Sequence, residues 1–333
     1  MQAAQLLKYD KKFQLVIRDV PTPTPNENEV LVKVKAAAVN PLDILVGTGS
    51  VKLIQNYSMP LIMGNELSGV ITSVGKKVVD FKVGDEIYSR LPLDKIGAFA
   101  EYVAIDYHAI ALKPTNLNFV QSAAVPLTGL TAYQVLNEEL KAQPGQSIMI
   151  PGGSGSFGQM AIPIAKQMGL EIIVSGNARS KDSLIKMGVS QYFDYRKENY
   201  WETSKSVDYV IDTVGQSELN HELGIIKKNG KLLSLKMGPN KLFAKNRNYS
   251  SLKTLLFSVA GSGIDRKANR VGVEYHFIFV RSDGTQLKKI TQIVEDEKIQ
   301  PAIDPTSFKL ADVNQALNLV NNGHPKGKVI IRF

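Results

Sequence analysis

The stretch Ser147-Ile-Met-Ile-Pro-Gly-Gly-Ser-Gly-Ser-Phe-Gly158 decides how the rest of this chain is read. Ser147–Ile150 has the apolar run of a buried strand, and from Phe157 to Met168 the apolar residues recur at helical intervals up to Gly169. A strand, a glycine-rich turn and a helix in that order gather backbone N–H groups and the positive end of a helix dipole at one point. A dinucleotide needs such a point for its pyrophosphate. Gly152, Gly155 and Gly158 stand three apart. The first suits the tight turn, the second leaves room for the phosphates, and the third lets helix and strand close on one another. Ser156 and Phe157, at the helix start, complete the candidate cofactor contacts of this turn.

Working toward the C-terminus, strand and helix patterns alternate with short loops. Strands are expected at Glu171–Ser175, Gln191–Asp194, Val207–Val214, Lys231–Lys236 and Gly272–Val280. Helices are expected at Ser180–Met187, Ser217–Lys228 (stopped by Gly230) and Thr285–Glu297. Parallel neighbours need crossover helices, so the pattern predicts a doubly wound parallel sheet. The strand after the glycine turn ends in Ser175-Gly-Asn-Ala-Arg-Ser-Lys181, and no acid occupies its tip. An acid there would bond a ribose 2′-hydroxyl, whereas a cation accommodates a 2′-phosphate. Arg179, with Ser175 and Asn177 as hydrogen-bonding neighbours, favours NADPH over NADH. Val214, closing a later strand, is a further candidate contact.

Toward the N-terminus the texture changes. Gln14–Asp19, Glu29–Ala38, Ser68–Val74 and Glu86–Tyr88 are short β-branched runs between Pro, Gly and Asn, as in a small barrel or sandwich. Val120–Leu140 has helical spacing, and Pro301–Phe333 returns to mixed character with a helix at Ala311–Val320 and a strand at Gly327–Phe333. A chain of 333 residues holds about two domains. With 40 Lys and Arg against 31 Asp and Glu, the net charge is +9, yet no basic run is interleaved with aromatics. Nucleic acid is therefore not an expected partner. Neither a signal-type apolar segment nor a bilayer-length one occurs, so a cytoplasmic protein without an integral membrane segment is expected.

The chain has no cysteine, which removes disulfides, thiolate-held zinc, iron–sulfur clusters and a cysteine nucleophile. Its four histidines, at 108, 221, 276 and 324, have none of the spacings of a helical metal site. The run from Gly323 to Lys328 lacks the spacing of a phosphate loop. Tyr249 and Lys253 have the Tyr-x-x-x-Lys spacing of short-chain reductases, but those chains open with their glycine turn, whereas here some 150 residues precede it. The match is read as chance.

Against this background the chain resembles the medium-chain dehydrogenase/reductases over essentially its whole length. Gly64-Asn-Glu-Leu-Ser-Gly69 with Val74-Gly75 and Phe81-Lys-Val-Gly-Asp85 is similar to the family signature, and GAFAEYVA (97–104) and AAVPLTGLTAY (123–133) continue it. The segments 194–200, 208–215 and 301–307 are similar to the zinc-free quinone and enone oxidoreductases. Asn40 stands where zinc alcohol dehydrogenases have a catalytic Cys, Asn65 where they have a metal-binding His, and Ser89–Gly97 is too short for a structural-zinc lobe.

The resemblance implies a GroES-like β-rich domain (1–120 and 300–333) and a Rossmann domain (121–299). It implies hydride transfer from NADPH to a quinone or to the conjugated C=C of an enone, without metal, in a homodimer. An NADPH-binding sensor or scaffold with little turnover is the alternative. Asn40 and Asp43 would border nicotinamide and substrate. Tyr57 and Asn65 would join Asn40 as donors to a developing enolate, with no residue standing out as proton donor. Thr128 and Thr131 would lie by the carboxamide, Tyr195 by the 2′-phosphate, and Phe277, Phe279 and Lys328 by the cofactor.

Overall fold

The computed structural model describes residues 1–203 and 206–333. Two compact units result: Met1–Leu130 with Arg281–Phe333, and Thr131–Val280.

The second unit is built on six parallel strands: β1 (Ser147–Ile150), β2 (Glu171–Gly176), β3 (Gln191–Asp194), β4 (Val207–Asp212), β5 (Ile226–Ser234) and β6 (Glu274–Phe277). Their order across the sheet is β3-β2-β1-β4-β5-β6. This is the doubly wound order, in which the chain leaves β1 toward one edge and returns beside it to build the other. The strands bury both faces, so Ile148, Met149 and Ile150 are fully enclosed, and Met149, Ile173, Phe193, Val210 and Leu232 share one core.

Three stretches depart from expectation. The helix expected at Ser217–Lys228 is shorter, Leu219–Ile225, and β5 starts at Ile226 and runs through Gly230. A Cβ on Gly230 would lie 2.5 Å from the Asp208 carbonyl, so this glycine marks close strand approach and not a helix stop. A 20-residue helix, Ser251–Arg270, occupies a stretch with no expected element. Between Val120 and Leu140 the chain forms two helices, Phe119–Ser122 and Pro126–Gln134, followed by a π-turn at Val135–Glu139.

The first unit is β-rich, as expected. Glu29–Val39 is its central strand, flanked by Glu66–Val74 and by Val329–Arg332, both antiparallel to it. Tyr102–Asp106 pairs with the first half of that strand, and Glu86–Arg90, Ile110–Leu112 and Phe308–Lys309 bring the sheet to seven strands. Val30, Val32 and Val34 alternate inward, while Ala36, Ala37 and Ala38 are buried on both faces. Small side chains there let Ala123 and Ala124 pack against Ala36, Ala38 and Ile330. The helix Gly284–Asp296 belongs to this unit: it packs on Ile110–Leu112, and the Tyr88 hydroxyl donates to the Leu287 carbonyl at 2.9 Å. The second unit is thus shorter at both ends than the expected 121–299 span.

Candidate functional site

Every candidate cofactor residue of the second unit except Thr131 lies at or near the C-terminal edge of its parallel sheet. Gly152, Gly155, Ser156, Phe157 and Gly158 follow β1; Ser175, Asn177 and Arg179 end or follow β2. Tyr195 follows β3, Val214 follows β4, and Phe277 and Phe279 end or follow β6. In a doubly wound sheet ligands bind at this edge, where strand order reverses. Here the reversal falls between β1 and β4.

The glycines of the turn differ in what requires them. Gly152 has φ +68°, and a Cβ on it would lie 2.6 Å from Thr213 Oγ1. A Cβ on Gly158 would lie 1.8 Å from the Gly153 carbonyl oxygen. Both are demanded by the chain's own packing. Gly155 is not, because its φ is −83° and a Cβ there would meet only the Gly152 carbonyl at 3.6 Å. Gly155 is also the N-cap of the helix Ser156–Gln167, and no side chain caps its first N–H groups. Those donors, the positive end of the dipole and the open flank of Gly155 make a cradle for an anion.

The rim of this cradle is braced from β2 and β4. Gly153 N–H bonds the Ser175 carbonyl at 3.0 Å, and Asn177 Nδ2 donates to Ser154 Oγ at 3.1 Å. Asn177 Oδ1 accepts from the N–H and hydroxyl of Ser180. The Asn177 side chain thus joins the turn to the strand end, while Arg179 is exposed beside it. Tyr195 is also exposed, with the Arg196 guanidinium 5.7 Å from its ring centre. Asp194, at the end of β3, accepts from Arg196 N–H at 3.1 Å. Phe279 is buried and Phe277 packs edge-on against Phe243.

After β4 the chain turns on Asp212, whose Oδ1 accepts from the N–H groups of Val214 and Gly215, each at 2.7 Å, and whose Oδ2 accepts from Ser234 Oγ at 2.5 Å. Beside it Glu222 is fully buried, and neither of its carboxyl oxygens receives a donor. Burial, then the neighbouring Asp212 carboxylate, push Glu222 up to about 10, so it carries a proton at neutral pH and hydrogen-bonds Asp212 with it. Sequence reasoning passed over this pair. Glu222→Leu is expected to loosen the Val214–Gly215 turn and weaken coenzyme binding severalfold in equilibrium dialysis, while Glu222→Gln, which keeps a donor, stays near wild type.

The first unit holds the other cluster. Asn40 precedes the helix Pro41–Gly47, and its N–H donates to Asp43 Oδ2 at 2.7 Å. Asn65 Nδ2 donates to Asp43 Oδ1 at 2.7 Å, and Asn40 Nδ2 to Glu66 Oε1 at 2.9 Å. Lys328 Nζ lies 2.8 Å from Glu66 Oε1, and the Leu127 N–H donates to Glu66 Oε2 at 2.7 Å. All five side chains are buried. Asn40, Asp43, Asn65 and Lys328, chosen singly from the sequence, are therefore one network, and its centre, Glu66, was missed. The Glu of the Gly64-Asn-Glu motif was the available signal.

This network does not suit a metal. The carboxylate oxygens of Asp43 and Glu66 are occupied by amide, backbone and ammonium donors, and the ammonium of Lys328 already supplies the positive charge. Among the described residues no cluster of three metal-ligating side chains occurs. Desolvation dominates the Asp43 carboxyl and raises it to about 7, against the lowering by its two hydrogen bonds. It can hold and release a proton near neutrality. Tyr57 is buried, its N–H donates to the Tyr9 hydroxyl at 2.8 Å, and its phenol is pushed up to about 12, chiefly by desolvation. Thr128 turns its hydroxyl back onto the Ala124 and Val125 carbonyls, and Thr131 is buried on the same helix. Lys253 lies over the face of the Tyr249 ring, 3.9 Å from its centre, and not beside the hydroxyl.

A doubly wound domain with a glycine cradle, joined to a β-rich domain with a buried polar network, defines a two-domain dehydrogenase. Residues 26–115 match the family model for the alcohol dehydrogenase GroES-like domain, and 187–331 that for zinc-binding dehydrogenase. A 2-methylene-furan-3-one reductase of Solanum lycopersicum is 32% identical over 305 residues, 89% of this chain and 69% of that one. An NAD(P)H oxidoreductase, RTN4IP1, mitochondrial, of Bos taurus is 29% identical over 89% of this chain and 79% of its own. The quinone oxidoreductase from Coxiella burnetii has a similar structure, with a TM-score of 0.81 and 27% identity over 100% of this chain and 99% of that one. The chain belongs to the medium-chain dehydrogenase/reductase superfamily, in its zinc-free branch.

Proposed function

We propose that this protein is an NADPH-dependent oxidoreductase that reduces a quinone, or the conjugated C=C of an α,β-unsaturated carbonyl compound, without a metal ion. The observation that carries the reading is the uncapped helix N-terminus behind Gly155, open to an anion at the strand-order reversal of a doubly wound sheet. The names borne by relatives, a furanone reductase and a quinone oxidoreductase, support the substrate class.

The bound coenzyme supplies the hydride. The chain's own residues then have three tasks. Backbone N–H groups of the Gly152–Gly158 turn hold the pyrophosphate, and Arg179 takes the 2′-phosphate with a planar, permanently charged fork. The amides of Asn40 and Asn65 keep the buried carboxylates in place. Asp43, poised near 7, holds the proton that must follow hydride addition, since reduction of an enone or quinone consumes one hydride and one proton. Action in the cytoplasm fits the cysteine-free composition.

The test is NADPH oxidation measured across enones, alkylidene furanones and quinones. Turnover of at least one class is expected, and indifference to all three with coenzyme binding confirmed would leave the sensor reading instead. For the 2′-phosphate, Arg179→Ala is expected to raise KM for NADPH about tenfold while NADH use changes less than about twofold. Equal effects on both coenzymes would place Arg179 elsewhere.

A further inference from the structure

One polar atom of the buried Asp43–Glu66 network has no partner among the described residues. Asn65 Nδ2 donates to Asp43 Oδ1 at 2.7 Å, while Asn65 Oδ1, on the same fully buried amide, accepts from no donor. An enclosed amide oxygen left in that state is costly. The main chain has no slack to relieve it. The Asn65 carbonyl accepts from the Leu91 N–H at 2.8 Å, and the Gly64 carbonyl before it accepts from the N–H groups of Gly97 and Ala98. Only the side-chain amide is left to turn, and a half-turn about its last bond exchanges oxygen and nitrogen without altering the shape of the side chain.

Asp43 gives that half-turn a purpose. Its Oδ2 faces the Asn40 N–H at 2.7 Å, a group that can only donate. Its Oδ1 faces the Asn65 amide, which donates through one end and accepts through the other. A buried carboxylic O–H needs an acceptor, and the turned amide supplies one at the place where a donor now sits. We propose that Asn65 is a positioning residue with two settings: Nδ2 toward Asp43 Oδ1 when the carboxylate is ionised, and Oδ1 toward it when that oxygen bears a proton. A proton taken from water is then held and released by a rotation in place, with no movement of the helix Pro41–Gly47 or the strand Glu66–Val74.

The charges around Asp43 leave both settings open. Desolvation raises the carboxyl to about 7, with Glu66 adding to the rise and the two hydrogen bonds and Lys328 opposing it. Glu66 and Lys328 are themselves paired at 2.8 Å, and Arg90 stands opposite Glu66 on the next strand. The Tyr57 phenol, raised chiefly by desolvation and also by Asp43, stays neutral. The helix Val313–Asn322, packed on Pro41–Gly47, has no ionisable side chain. The inference deepens the proposed function and rests on it for the use of the proton, not for its storage. Asn65 then serves Asp43 and not a developing enolate.

Neutron diffraction from crystals of the full chain in D2O, about two pH units to either side of the Asp43 midpoint, tells an amide oxygen from an ND2 group directly. The acid crystal is expected to show a deuteron on Asp43 Oδ1 directed at Asn65 Oδ1, and the alkaline crystal an ND2 group directed at a bare carboxylate. The same amide orientation in both, or no deuteron on Asp43 in the acid crystal, overturns the proposal. These crystals need no substitution, so this arm holds whether or not a variant folds. In solution, difference infrared spectroscopy follows the carboxylic C=O band that Asp43→Asn removes. Asn65→Leu loses the donor to the ionised form and the acceptor to the acid together, so the midpoint of that band is expected within about half a pH unit of wild type. A midpoint raised by at least about one unit, a tenfold change, would show Asn65 to be a donor only and overturns the proposal. A turning amide in a chain that reduces no enone, furanone or quinone leaves this inference standing and removes the proposed function; a fixed amide in an active reductase does the reverse.

Discussion

Gly155→Ala is expected to lower coenzyme affinity at least tenfold while leaving the unfolding free energy within about 1 kcal/mol of wild type. Its methyl would meet only the Gly152 carbonyl, at an ordinary 3.6 Å, so the fold has no objection to it. The same methyl would stand at the uncapped helix N-terminus, where a pyrophosphate must approach the backbone closely. Gly158→Ala is expected to behave differently. Its Cβ would be 1.8 Å from the Gly153 carbonyl oxygen, and the turn cannot move without breaking the Gly153 N–H bonds to the Ile150 and Ser175 carbonyls. Overpacking against backbone costs about 1–3 kcal/mol or more, so this variant should lose stability and binding together. Urea unfolding and fluorescence titration with NADPH separate the two cases. Equal loss of stability in both variants would mean that Gly155 is held by packing and not by a ligand.

Asp43→Asn is expected to flatten two pH profiles at once. In the folded chain this carboxyl is raised to about 7 from an ordinary 3.8, so the folded state binds a proton more tightly than the unfolded state. Stability from this group is therefore greatest below pH 4 and falls as pH rises toward 7, by roughly 4 kcal/mol over the interval. Asparagine cannot ionise, and it keeps an oxygen for the Asn40 N–H. The variant should lose that acid-side gain relative to pH 8. Reductase activity, if Asp43 delivers the proton, should fall in the wild type as pH passes 7 and be lower and flat in the variant. Denaturant midpoints and kcat/KM across pH 4 to 9 read both. An unchanged activity profile would move proton delivery to solvent.

The parts of this protein that were legible in the sequence are those in which local pattern and final environment agree. β1 has the expected limits because a short apolar run between Gly145 and Pro151 is itself what a two-sided buried strand needs. The glycine cradle was legible for the same reason, since its chemistry is contiguous. The Asn40, Asp43, Asn65, Glu66 and Lys328 network joins both ends of the chain. No spacing rule links Lys328 to Glu66, and only the pairing of Val329–Arg332 with Glu29–Val39 brings them together. Likewise Glu222 gave no signal, because an acid on an amphipathic helix is ordinarily solvated, and only the neighbouring Asp212 makes it notable. The helix Ser251–Arg270 went unread although Leu252, Leu255, Leu256 and Val259 recur at helical intervals, because its second half, from Gly261 to Arg270, is mostly small and polar and carries no such period.

That terminal strand also orders the birth of the molecule. The sheet of the first unit includes residues Val329–Arg332, so it cannot close while the ribosome still holds them. Thr131–Val280 is one uninterrupted segment with all six of its strands, and nothing in its sheet waits for later sequence. During synthesis the half made second should therefore reach its native state first. The earlier half would stay exposed to chaperones until Val329–Arg332 have been released.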